Sequence, residues 1–559
     1  MSWIDWLVLS VTLFVIVVYG AWKTRKNKDL EGYLRGNNSE SWFTIGLSIM
    51  ATQASAITFL SGPGQAYDNG MGFIQIYFGL PLAMIIISVF FLPIYYRLKV
   101  YTAYQYLEQR FDVRMRALTA FLFLLSRGLA AGITIFAPSI ILSTLLGWNL
   151  QLTCVAIGGL VIIYTVSGGS RAVSLTQKWQ MGVIMIGMFV AFYYVLDSMP
   201  AGLNFSESVD MAGKLGKMEV VDTSFDLSNR YTIWTGILGG VFLSLSYFGT
   251  DQSQVQRYLG GKSLKESRMG LMFNGILKIP MQFFILFTGV MVFISFQFNK
   301  PPIIFNNTNA LVEIRKDSSL VFIENQYNAV YAEKEKALID YSNTNAVNFE
   351  DIKNFQTDQD SLRDAYKKQL NKLDNTYEAQ DHDYIFLTFI LEFLPKGLIG
   401  LLLAMIFSAA MSSTSSELNA LASTTTIDFY KKFSPNSSDK NDLKLSKIFT
   451  VSWGILAIIV ALTAGLFDNL IELVNILGSL FYGTILGVFL LAFFFKRVGA
   501  QAAFIATLIS QSTILFIHFL NVSGIIEISY LLYTFIGVFL VLIFGIFFNL
   551  IFTNKQNQQ

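Results

Sequence analysis

Runs of about 18 or more apolar residues recur from one end of this chain to the other. Each is long enough to cross the hydrocarbon core of a bilayer as a helix. A chain that must hide so many of these runs folds in lipid, because a soluble domain cannot bury them all. Composition agrees: 53% of the 559 residues are hydrophobic and only 14% are charged, and mean hydropathy is +0.51. The expected class is therefore an all-α integral membrane protein. A net charge of +2 is too balanced to recruit nucleic acid. The single cysteine, Cys154, excludes an intramolecular disulfide. The two histidines, His382 in a polar loop and His518 near a helix end, offer no paired metal or catalytic set.

About 13 spans are expected, at roughly 3–22, 41–66, 73–97, 115–146, 150–167, 175–197, 231–257, 268–298, 394–430, 443–466, 469–495, 499–520 and 526–552. The N-terminal stretch lacks a basic n-region and a small-residue cleavage site, so it reads as a retained first helix. Lysines and arginines collect in alternate loops, among them Lys99, Arg110, Arg257, Lys262, Lys431, Lys432, Lys496 and Arg497. That bias places the N-terminus outside and the C-terminus in the cytoplasm of a cell membrane. One long loop, 299–383, is polar. Tyr327, Val330, Lys334, Leu338 and Tyr341 form a helical stripe there, as do Leu362, Tyr366, Leu370, Leu373 and Tyr377, which predicts a helical hairpin outside the membrane. No chemistry is legible in it.

Two spans look interrupted. Small and hydroxyl residues fill 51–58, followed by Ser61-Gly62-Pro63-Gly64. The stretch Ser244 to Gln252 plays the same part later. Setting the first span aside, these are the first and sixth of ten core helices. A five-plus-five inverted repeat breaks its helices there, with substrate between them. The expected organisation is an extra helix and cytoplasmic loop (1–40), a first repeat (41–197), an extracytoplasmic loop (198–230), a second repeat in two parts (231–298 and 384–495) around the insertion, and two C-terminal helices (496–559).

The span beginning near Leu394 ends in hydroxyls: Ser412, Ser413, Thr414, Ser415 and Ser416. Hydroxyls in a membrane need a backbone, a neighbouring helix or an ion. Ser412, Ser415 and Ser416 share a helix face with Ser413 beside them, and hard cations take oxygen ligands. This is a candidate sodium site.

Five segments then carry a family resemblance: AAMSSTSSELNALASTTTIDFYKKF (409–433), FLSGPGQAYDNG (59–70), ITIFAPSIILSTLLG (133–147), YTVSGGSRAV (164–173) and GTDQSQVQRYLGGKS (249–263). In this order the chain resembles the sodium/solute symporter family over nearly its whole length outside the insertion. The resemblance implies sodium-coupled import of a small organic solute (a sugar, polyol, sugar acid such as a sialic acid, or small carboxylate) by alternating access. It implies a main sodium site of the Ala51, Ala54 and Ala409 carbonyls with the Ser412 and Ser413 hydroxyls. Relatives with a second site add serines like Ser415 and Ser416 and an aspartate in core helix 5. Gln177 stands at that position here, so one sodium is expected.

For substrate, Thr58 and Tyr77 stand where galactose-type members hold sugar with a glutamine and a glutamate. Ser55 and Thr58 resemble the hydroxyls of acid-binding members, and Gln53 lies beside them. Tyr247 matches an aromatic gate, and Lys278 matches a lysine that bonds sugar. Arg127 and Lys278 are deep intramembrane cations and tilt the expectation toward an acidic ligand. Asp251 is expected to organise the inner gate, and Asn475 is a further pocket candidate. Expected partners are sodium, the solute and lipid; nothing fixes an oligomeric state. The alternative is a sensor or channel-like protein on the same scaffold. An enzyme is not expected, since no catalytic dyad stands at one depth.

Overall fold

The computed structural model describes residues 2–24, 30–35, 39–200, 202–226, 229, 231–306, 314–344, 348–373, 381–463 and 470–556. Helices dominate. Among the described residues the only β pairing is an isolated bridge between Glu40 and Gly261. Eleven helical segments among the described residues are long and apolar enough to cross a membrane. The helices used below are α1 (Trp3–Thr24), α2 (Trp42–Gln53), α3 (Ala56–Asn69), α4 (80–98), α5 (Val113–Leu146), α6 (Leu150–Asp197), α7 (Ile233–Thr250), α8 (Gln252–Leu259) and α9 (Leu264–Phe298). They continue with α10 (Ser318–Thr344), α11 (Phe349–Leu373), α12 (His382–Phe393), α13 (Leu398–Thr424), α14 (Asp439–Ala461), α15 (Leu470–Phe494), α16 (Ala500–Val522) and α17 (Leu531–Gln556). The spans at 439–461 and 531–553 turn apolar side chains such as Ile455, Ile459 and Ile543 outward. That is the signature of a lipid-facing rim, since bare apolar surface of this extent is not left in water. Helix α13, by contrast, is buried along most of its length and is the axis of the bundle.

Both interruptions exist, and they sit at sharper points than the sequence pattern indicates. The first falls at Ala54 and Ser55, which leave helical geometry (ψ 76° and 170°) between α2 and α3. The Ser61-Gly62-Pro63-Gly64 stretch, expected to be part of the break, is helical inside α3. Its small residues serve packing instead: a Cβ on Gly64 would stand 2.0 Å from the carbonyl oxygen of His382. The second break is at Asp251 (φ −76°, ψ 120°), which ends α7 and caps α8 by accepting from the Ser253 amide at 2.8 Å. The two spans expected at 150–167 and 175–197 are present as Leu150–Ser170 and Ala172–Asp197, the two arms of α6, which meet at a non-helical Gly169. That residue has φ 60°, and an added Cβ would meet the Tyr33 ring at 2.4 Å, so only glycine fits both the conformation and the contact.

The insertion folds as the expected hairpin of α10 and α11. Tyr327, Lys334, Leu338, Tyr366 and Leu370 are buried; Leu373 is exposed, and Tyr377 lies outside the described residues. Lys334 donates to Gln356 at 2.9 Å, and burial pushes its ammonium down to about 7. The hairpin is not inert. Arg363 of α11 donates to both oxygens of Asp381 at 2.8 and 2.9 Å and reaches Asp68, near the end of α3, at 3.4 Å. Lys367 adds a bond to Asp381 at 2.7 Å, and His382 pairs directly with Asp68. The insertion thus clasps the far end of the broken helix. Burial opposes charge on Asp381, but Arg363 and Lys367 hold it below the usual carboxylate range.

Burial also disfavours the His382 imidazolium, yet the hydrogen bond and charge of Asp68 lift its pKa above the ordinary 6.5. A raised folded pKa gives stability that is fully present below 6.5 and lost as pH rises through the folded value. The thermal midpoint of purified protein is expected to fall across that window. His382→Asn should flatten the dependence, and an unchanged slope in that variant would remove His382 as its cause.

Candidate functional site

The site is built where α13 crosses the first break. A helix that stops leaves carbonyls without an i+4 amide. At the end of α2 one of these, Ala51, accepts from the Ser412 hydroxyl of α13 at 2.8 Å. The Ser413 hydroxyl bonds its own helix at the Ala409 carbonyl, 3.0 Å away. Four of the five expected sodium ligands therefore lie in two contacting pairs, all of them buried. Ala54, the fifth, is the first residue past α2 and stands in the break itself.

Ser415 and Ser416 bond within α13, and Ser416 shares the Gln177 amide with Ser412. Ser415 bonds the Ser412 carbonyl at 3.2 Å. Ser416 bonds the same carbonyl at 3.0 Å and faces Thr52 at 3.1 Å. Gln177 of α6 enters this cluster. Its amide nitrogen lies 2.9–3.2 Å from four oxygens: the Thr52, Ser412 and Ser416 hydroxyls and the Ser412 carbonyl. Its amide oxygen accepts from Ser48. The side-chain NH₂ group sits among hydroxyls and a carbonyl that could otherwise face a cation.

Beside the break a cavity of about 960 Å³, open mouth included, lies between α3, α5, α7, α13 and α15. Gln53, Ser55, Thr58, Tyr247 and Arg127, all expected at a substrate site, line it, and so do Ser413 and Asn475. The Gln53 amide oxygen is buried with no hydrogen-bond partner among the described residues. Lys278 does not line the cavity. It is fully buried in α9, its ammonium 5.6 Å from the centre of the Tyr77 ring, and Tyr77 forms part of the cavity wall.

Arg127 is not free either. Its Nε lies 3.0 Å from Asp251 Oδ2, and its Nη2 meets both Asp251 and the Tyr482 hydroxyl. Its Nη1 donates to Glu417 at 3.0 Å. Tyr482 in turn donates to Asp251 at 2.9 Å, and Thr134 donates to the other Glu417 oxygen at 2.8 Å. The guanidinium also lies over the Tyr247 ring, at 5.2 Å, and Gln254 holds the Tyr247 hydroxyl at 2.7 Å. This network joins α5, α13, α15 and the Asp251 break. Glu417, Tyr482, Thr134 and Gln254 escaped the sequence reading. Glu417 had a signal: a carboxylate inside an otherwise apolar span requires a partner.

The comparisons with known proteins agree with this architecture. The model of the sodium:solute symporter family matches residues 33–325 and 374–510. The sodium/glucose cotransporter of Vibrio parahaemolyticus is 26% identical over 541 residues, covering 94% of this chain and 86% of that protein. The sodium/sialic acid symporter of Aliivibrio fischeri is 25% identical over 562 residues, covering 99% and 94%. Sodium-coupled monocarboxylate transporter 2 of Mus musculus is 26% identical over 500 residues, covering 89% and 69%. A solved structure of a Na+-coupled sialic acid symporter, described as a substrate-bound outward-open state, has a TM-score of 0.75 at 24% identity over 98% of each chain, a likeness of fold. With a family model matching most of its length, this chain belongs to the sodium:solute symporter family.

Proposed function

We propose that this multi-pass membrane symporter binds one sodium ion between α2 and α13 and carries a hydroxyl-rich solute in the adjoining cavity. The observation that carries the reading is the meeting of Ser412 with the Ala51 carbonyl at the break, with Ser413 on the cavity wall. The ligands would be the Ala51, Ala54 and Ala409 carbonyls and the Ser412 and Ser413 hydroxyls. Neutral oxygens suit a cation that must also be released. The fold supports a thirteen-helix arrangement: of the eleven long apolar spans, Ala56–Leu98 divides into α3, which continues the broken helix begun by α2, and α4, and α1 adds one more. Setting α1 aside, the breaks at Ala54–Ser55 and Asp251 fall in the first and sixth core helices of a five-plus-five inverted repeat. The basic loops favour an N-terminus outside and a C-terminus in the cytoplasm.

Sodium entering from outside would bridge α2 and α13, fix the break, and so set the pocket residues Gln53, Ser55 and Thr58 at and around it. Solute binding then permits closure. In the inward-open state the two helices separate and the ion loses ligands. One charge moving inward gains about 2.3 kcal/mol per 100 mV. Uptake into proteoliposomes is expected to require sodium, and Ser413→Ala should raise the half-saturating sodium concentration at least about tenfold. Uptake indifferent both to sodium and to this substitution would support the sensor or channel alternative instead.

The Gln177 amide accounts for a single ion. Its two N–H groups are placed among the Thr52 and Ser416 hydroxyls where a second cation would sit, and it supplies no negative charge. Gln177→Asp replaces a donor with a charged acceptor, so it should steepen the sodium dependence of uptake toward two ions. A Hill coefficient unchanged in an active variant would contradict this role.

For substrate class, the lining favours a sugar or polyol over a bare carboxylate. Arg127 is occupied by two carboxylates, Lys278 is behind Tyr77, and the accessible groups are hydroxyls and amides. This reverses the tilt toward acids that the two cations alone imply. A thermal-shift series with sodium present should show sugars or polyols stabilising the protein more than small monocarboxylates. The opposite order would return Arg127 or Lys278 to the substrate site.

A further inference from the structure

The sodium ligands proposed above are all neutral, but their surroundings are not. Glu417 follows Ser413 by four residues on α13, so the two side chains share a face one turn apart, and both line the cavity. Glu417 and Asp251 together face a single guanidinium, Arg127. With both carboxylates ionised, one positive charge against two negative leaves this buried knot with a net negative charge. The other buried cation near the cavity, Lys278, lies on a different wall and is screened by Tyr77. An excess charge in a low-dielectric interior is costly unless an opposite charge comes close.

We propose that Glu417 is the electrostatic partner of the bound sodium: it holds the excess negative charge beside the ion site and transmits sodium occupancy to the second break. The ion would complete the charge balance that Arg127 leaves unfinished. The link to the break is direct, because the guanidinium held by Glu417 also holds Asp251, the residue that ends α7 and caps α8. Thr134 locks the other Glu417 oxygen, and Thr414 meets Thr134 at 3.1 Å, so the carboxylate has little freedom to turn elsewhere. Glu417 is thus a positioning residue, acting on sodium through space and on the gate through Arg127. This inference rests on the sodium site assigned in the preceding subsection.

The test measures sodium-dependent thermal stabilisation of the purified full chain, without solute, in wild type, Glu417→Gln, Glu417→Asp and Ser413→Ala. Glu417→Gln keeps the shape and removes the charge, so the half-saturating sodium concentration should rise about tenfold. Glu417→Asp keeps the charge and should stay within about threefold of wild type. A structural role alone would reverse this order, because the shortened aspartate disturbs packing more than the isosteric glutamine. Wild-type sodium affinity in Glu417→Gln, with affinity still lost in Ser413→Ala, would overturn the role of Glu417 and leave the sodium site standing. An equal loss in the Gln and Asp variants would also overturn it, since charge would then not be the cause. Wild-type sodium affinity in Ser413→Ala would instead sink the sodium site itself.

Discussion

Inside a bilayer a helix can stop only where the carbonyls it frees find another partner. At the end of α2 the Ser412 hydroxyl meets the freed Ala51 carbonyl, and this single contact fixes the crossing of α2 with α13. The rest of the architecture is arranged around that crossing. Helix α13 is buried because it must bring hydroxyls to the break, and α6 packs beside it to deliver Gln177. The cavity lies next to the crossing because the chain leaves helical geometry at Ala54 and Ser55 and α3 restarts there, with Thr58 on its first turn.

The two breaks are handled by different chemistry. The first offers carbonyls and neutral hydroxyls, a set suited to an alkali cation. The second, at Asp251, is an ionic knot with Arg127, Glu417 and Tyr482. Arg127 sits where both can be sensed, tied to α13 on one side and to the α7–α8 junction on the other. At the opposite end of α3, the insertion grips Asp68 through Arg363 and His382. The first broken helix is thus held at its break, by oxygens near Ser412, and at its far end, by charges near Asp68. Rocking of this helix would have to work against both.

Much of this was legible in the sequence, for identifiable reasons. Apolar runs give spans because lipid admits few other solutions, and serines in an apolar helix announce a polar partner. The breaks were placed only approximately, because small residues mean either a break or a close approach. Gly64 proved to be the second kind, packed on His382. The charges were misleading for a similar reason. A sequence displays Arg127 as a lone cation, whereas its carboxylates come from α13 and from the end of α7, far along the chain. Lys278 is deep as expected, but which side of Tyr77 it occupies is a property of packing and not of spacing.

Equilibrium binding of radioactive sodium to the purified protein, without any solute, tests the central claim most directly. About one ion should bind per chain, and binding should weaken strongly in Ser412→Ala and Ser413→Ala while the proteins remain folded. Undiminished binding in both variants would contradict a sodium site between the first broken helix and α13.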